Sequence, residues 1–112
     1  MNISTRHDGE VTVIELNGRL MGEPDTTELL DTVKSSLYNH RTKIVLDLGG
    51  VDWLNSTGLG SLISARGLLT EVGGDVKLAK LNDTVHNIMN VSKLNRVFDI
   101  YASVPQAVEA FG

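Results

Sequence analysis

The chain has 112 residues, a length that fits one domain able to fold without disulfide or metal support. It contains no cysteine, which excludes thiolate zinc, a thiol nucleophile and disulfide stapling. Ten Lys and Arg against 14 Asp and Glu leave a net charge of −4, which argues against a nucleic-acid binder.

In chain order, Ile3 lies in a short first strand and Asp8-Gly9 makes a tight turn. Val11 to Leu16 alternates as the second arm of a hairpin, with Ile14 and Leu16 inward and Gly18 at its end. Glu23-Pro24-Asp25 opens a helix. Asp25 with Glu28 fits a capping box, and Leu29, Leu30, Val33 and Leu37 form its apolar stripe. Asn39 and His40 end it. Lys43 to Leu48 is a nearly continuous aliphatic run, the pattern of a central strand covered on both faces. A loop with Gly49-Gly50, Asp52 and Trp53 then leads to a second helix near Ser56. Leu59, Leu62, Ile63, Leu69 and Val72 are expected along its buried side, and Gly73-Gly74 stops it.

Asp75 to Leu81 alternates again. Asn82, Asp83 and Thr84 are caps for a third helix carrying Val85, Ile88 and Met89. A last strand falls at Phe98 to Tyr101, and Ser103 caps a final helix with Pro105 in its first turn. The order β-β-α-β-α-β-α-β-α predicts an α/β fold: a mixed, mostly parallel sheet with an N-terminal hairpin and about four helices. No stretch reaches the roughly 20 apolar residues that span a bilayer, and Met1 to Arg6 has no signal-peptide core. The expectation is a soluble cytoplasmic protein without membrane insertion.

The distinctive segment runs from Val45 to Gly60, from the end of the central strand into the second helix. Ligands and partners of open parallel sheets meet the carboxyl ends of the strands. Ser56 stands at the cap or first turn, where free N–H groups carry partial positive charge and tolerate a phosphate. The simpler reading is that Ser56 only caps the helix. Trp53 is either an interface anchor or a cover over the sheet's end. Leu54 belongs to the core, and Arg66 lies at the rim of the second helix. His7, His40 and His86 lack metal-ligand spacing. No Walker motif or full dinucleotide fingerprint is present, and Ser56 has no assignable His base.

The same segment resembles the STAS domain, and within that family the small stand-alone anti-sigma factor antagonists of bacteria. Those proteins carry Asp-Ser-Ser-Gly-Leu-Gly or Asp-Ser-Thr-Gly-Leu-Gly where this chain has Asn55-Ser56-Thr57-Gly58-Leu59-Gly60. Leu16-Asn17-Gly18-Arg19-Leu20 is similar to the family's Gly-x-Leu after its second strand. Leu94 to Tyr101 is similar to its late Leu-x-x-Val-Phe-x-Ile segment. The three matches stand in order and span essentially the whole chain.

The resemblance implies one STAS domain over residues 1–112, with no enzymatic activity, no cofactor and a monomeric or weakly dimeric state. It implies a partner switch as well. The unphosphorylated antagonist binds an anti-sigma factor that is also a serine kinase, and a sigma factor is released. The kinase phosphorylates the serine, and a PP2C-type phosphatase reverses the reaction. By position Ser56 is the phosphoacceptor, with Thr57 as the alternative. The implied docking face takes in Met21, Glu23, Asp25, Asp52, Trp53, Asn55, Ser56, Thr57, Gly58 and Leu59.

Two departures stand out: Asn55 replaces the motif's aspartate, and Met21 stands where many antagonists have an acid. Two other roles remain open. STAS domains also serve as non-catalytic subunits of membrane transporters, including phospholipid transporters, and a small-ligand sensor is a third class.

Overall fold

A computed structural model describes residues Met1–Gly112. The hairpin comes first, as β1 (Asn2–Asp8) and β2 (Val11–Leu20). Then follow α1 (Asp25–Tyr38), β3 (Lys43–Leu54), α2 (Ser56–Thr70), β4 (Asp75–Ala79) and α3 (Asp83–Val91). A 3-10 turn (Leu94–Arg96), β5 (Asp99–Tyr101) and α4 (Val104–Glu109) complete the chain. The strands lie in the order β1-β2-β3-β4-β5; β1 and β2 are antiparallel and every other pair is parallel. The expected mixed α/β architecture with a hairpin and four helices is the one observed.

Strand alternation sends side chains to two cores. Ile44, Leu46 and Leu48 of β3 join Ile14 and Leu16 of β2, Leu29 and Val33 of α1, Leu62 and Leu69 of α2, and Met89 of α3. Val45 points the other way and packs with Val11, Val13 and Ala79 under Val104 and Ala107 of α4. Helices α1, α2 and α3 therefore cover one face, and α4 covers the other. Burial on both faces explains why Lys43 to Leu48 reads as an unbroken aliphatic run.

The structure corrects several details of the sequence reading. β2 does not end at Gly18 but continues to Leu20, and β3 does not become a loop at Gly49-Gly50 but continues through Asp52 and Trp53 to Leu54. The two extensions pair with each other: Asn17 with Gly50, Gly18 with Val51, Arg19 with Trp53 and Leu20 with Leu54. Register shifts at Glu15/Asn17 and Gly18/Arg19 break the alternation, which hides the extension from a pattern search.

The capping box expected at α1 does not form. Pro24 takes the cap position and no side chain caps the helix from there. Instead Glu23 accepts hydrogen bonds from the Thr26 hydroxyl (2.6 Å) and from the Thr27 hydroxyl. Ile63 is exposed on α2 rather than buried, and Val72 lies beyond the end of the helix, also exposed. β4 ends at Ala79, short of Leu81.

Other signals hold. Asn82 and Ser103 cap α3 and α4. Gly73, at φ +78°, lets the chain turn back after α2, and the Gly74 N–H donates to the Leu69 carbonyl at 2.8 Å.

Candidate functional site

Parallel pairing brings the C-terminal ends of β2 and β3 together, and each strand feeds its own helix. The β2–α1 connection with Met21 therefore lies beside the β3–α2 junction with Asn55. Asn55 is the N-cap of α2, and its Oδ1 accepts from the Gly58 N–H at 2.9 Å. Its Nδ2 donates to the Met21 carbonyl at 2.9 Å, and its own N–H reaches the Leu20 carbonyl at 3.4 Å. Asn55, not Ser56, thus performs the capping, and Ser56 is the first residue of the helix. The Ser56 hydroxyl is not needed for the cap, and both Ser56 and Thr57 are exposed.

Gly58 is buried because α2 starts directly against β2: a Cβ there would overlap the Leu20 carbonyl oxygen. That close approach requires glycine. Gly60 has open space where its Cβ would be, so its side of the helix is uncovered.

Apolar groups stay exposed around this junction. Met21 is 44% exposed, Trp53 43% and Ile63 46%. Leu54 is buried, and Leu59 is half-buried against the larger core. On the outer side of α2, Ser56, Thr57, Ile63, Ser64 and Gly67 face solvent without a charge among them. Its first turn holds no acid either. Asp52 lies 3.8 Å from Arg19 in a highly exposed pair, a weak tie that holds neither side chain firmly.

Not every residue singled out from the sequence joins this surface. Met21, Asn55, Ser56 and Thr57 meet at the junction, and Asp52 and Trp53 lie beside Arg19 in the last residues of β3 that lead into it. Glu23 and Asp25 serve the start of α1: hydrogen bonds from Thr26 and then Thr27 hold the Glu23 carboxyl below its ordinary range, and Asp25 meets the terminal ammonium of Met1 at 3.5 Å. The sequence reading missed Ile63 as a surface residue. A second stripe at helical spacing, Ser56, Gly60, Ile63 and Gly67, is the signal that could have found it.

Elsewhere no buried side-chain nitrogen or oxygen is left without a partner. A cavity of about 390 Å³ between α1 and the hairpin is lined by polar side chains including His7, Glu28 and Arg41. Arg41 is already committed there, donating to the Thr12 hydroxyl at 2.8 Å and to the Gly9 and Val11 carbonyls. Lys77 is buried beneath α4, 3.0 Å from Asp99 and 4.8 Å from the centre of the Phe111 ring. Burial opposes its charge, but Asp99, with Tyr101 and Asp75, outweighs that and raises its pKa. No group of three or more His, Asp or Glu side chains gathers as a metal set, and no helix is long and apolar enough to cross a membrane.

Comparison with known proteins places this geometry. A family model described as "Mlab, STAS domain" matches residues 3–102. The anti-sigma F factor antagonist of Paenibacillus polymyxa is 25% identical over 103 residues, covering 90% of this chain and 86% of that protein. Among solved structures, TM1081 of Thermotoga maritima superposes with a TM-score of 0.87 at 22% identity, over 96% of this chain and 92% of that one. The Bacillus cell-fate determinant SpoIIAA in its phosphorylated form gives a TM-score of 0.76 at 18% identity, over 99% and 100% of the two chains. At these identities the structural likeness speaks for the fold.

Proposed function

This chain belongs to the STAS-domain family, and on that footing we propose that it is a non-catalytic anti-sigma factor antagonist whose docking is gated at Ser56. The partner is an anti-sigma factor with serine-kinase activity. Binding it releases a sigma factor, phosphorylation of Ser56 ends the binding, and a PP2C-type phosphatase restores it. The Paenibacillus relative bears the name of such an antagonist, and SpoIIAA exists in a phosphorylated form, which supports the reading.

One observation carries it: Ser56 is an exposed first-turn residue of a helix capped by its neighbour, set among uncovered apolar side chains. A phosphate adds about −1.5 to −2 charge at pH 7. Beside the free N–H groups of α2, whose first turn has no acid, that charge is tolerated by the chain itself. In a closed interface the same charge must be desolvated or paired, so docking fails while the fold stays intact. The exposed Met21 and Trp53 are the apolar anchors in this reading, and Thr57 is the second hydroxyl offered to the kinase.

A pull-down tests the gate. Wild type and Ser56→Ala should retain the anti-sigma kinase, and Ser56→Asp should not; equal retention of all three rejects it. Affinity purification from the native host that returns a transporter ATPase instead of a kinase would assign the chain to transport. Incubation with kinase and ATP followed by mass spectrometry should place the phosphate on Ser56, or on Thr57 as the alternative.

A further inference from the structure

The Asn55 carboxamide works in two directions at once. Its oxygen caps α2 through the Gly58 N–H, and its nitrogen holds the Met21 carbonyl, both at 2.9 Å. We propose that Asn55 is the positioning residue of the docking face, a clamp that fixes the Met21 segment against the start of α2 and requires a carboxamide to do so. This role rests on the docking reading above and deepens it.

The surroundings explain why a clamp is needed. Leu20 is pinned by strand pairing and by the Asn55 N–H. Beyond it the sheet ends, and Met21 carries an exposed side chain on backbone that has left the strand. The Asn55 amide reaches across to that residue. On the other side, the Gly22 carbonyl accepts from the Thr26 N–H at 3.1 Å, which ties the segment to α1. Met21 is thus suspended between two helix starts.

Among good helix-capping residues, Asn alone combines a cap acceptor with an amide donor. A carboxylate caps equally well but offers only acceptors, and its second oxygen would face the Met21 carbonyl oxygen. A serine caps but is too short to span both contacts. The Asn in place of the motif's aspartate therefore has a physical use in this chain.

NMR relaxation on the full-length protein tests the clamp without any partner. In the wild type, backbone order parameters at Met21 and Gly22 should be about 0.85, the rigid range. In Asn55→Asp and Asn55→Ser they should fall below about 0.6 at pH 7, while the α2 amides stay rigid. Acid then separates the roles. Once the new carboxyl of Asn55→Asp is protonated, below its usual pKa of about 3.9, it regains a donor and Met21 should stiffen again. Asn55→Ser should not recover at any pH.

A residue that only caps gives the opposite result: a rigid Asn55→Asp at neutral pH that loosens on protonation. That result, or mobile Met21 in the wild type, overturns the clamp. If neither variant folds, the wild type decides. Its Asn55 side-chain amide protons should exchange slowly and show Overhauser contacts to Met21 and Gly22, and their absence overturns the clamp. Failure of the docking reading is registered separately, in the pull-down.

Discussion

Helices α1 and α2 follow neighbouring parallel strands and start at the same end of the sheet, yet their starts are built in opposite ways. The first turn of α1 carries Asp25 and Glu28, and Glu23 lies just ahead with its carboxylate held by Thr26 and Thr27. The first turn of α2 carries no acid and is capped by a neutral amide. The outer faces differ in charge: α1 exposes Glu28, Asp31 and Lys34 beside Thr27, Ser35 and Tyr38, whereas the exposed residues of α2 are Ser56, Thr57, Ile63, Ser64, Gly67 and Thr70, with Arg66 half-buried beside them. Negative side chains complement the partial positive charge of a helix start. The chain supplies that complement at α1 and withholds it at α2. The contrast leaves α1 with a helix start neutralised by its own side chains and α2 with an uncharged one, which fits the docking role proposed for α2.

The largest expected effect separates the fixed from the open side of α2. Gly58→Ala places a methyl group on the Leu20 carbonyl oxygen, so α2 must shift away from β2. We expect a loss of about 3 kcal/mol in urea unfolding. A loss below about 0.5 kcal/mol, the range of neutral surface changes, would mean that the close approach is not enforced. Asn55→Ala comes next. It removes the cap and the Met21 bond together and should cost about 1 to 2 kcal/mol. Asp25→Ala at α1 should cost less, because Asp25 provides no capping bond. Equal losses would erase the contrast between the two starts. Gly60→Ala should have the opposite sign. Its Cβ enters open space, and replacing an interior helical glycine should gain about 0.5 to 1 kcal/mol. If Gly60 lies under the docked partner, the same variant should weaken the pull-down while raising stability.

Much of this was legible in the sequence, and the failures share one cause. The aliphatic run Ile44 to Leu48, the Gly73-Gly74 stop and the Asn82 and Ser103 caps are local signals, and each structure formed where it was expected. The extension of β2 and β3 to Leu20 and Leu54 is not local: each supplies the other's hydrogen bonds, and the register shifts conceal the alternation. Asn55 and Ser56 are both good caps by residue type, so the sequence alone could not choose between them, and the second bond of Asn55 goes to Met21, 34 residues earlier in the chain. Ile63 shares its spacing with core residues because α2 is apolar on more than one side, so periodicity cannot choose a face. Lys77 sits within an apolar strand pattern and is buried by Asp99, Tyr101 and Phe111, which only the folded chain brings to it.

The smallest expected effect isolates the charge at the start of α1. Hydrogen bonds from Thr26 and then Thr27 lower the Glu23 pKa from its ordinary value of 4.5. A carboxyl whose folded pKa lies below its unfolded value contributes stability above the unfolded value. That contribution is lost as pH falls from about 4.5 through the folded pKa. Thr27→Ala removes one of the two donors, so it should raise the Glu23 pKa toward the ordinary value in a carboxyl-carbon NMR titration. It should also narrow the difference in urea midpoint between pH 7 and pH 3 relative to the wild type. Ser56→Ala should alter neither, because no carboxylate depends on the start of α2. A change of acid sensitivity in Ser56→Ala equal to that in Thr27→Ala would show that the two helix starts are not independent. The division between a self-neutralised α1 and an open α2 would then fail.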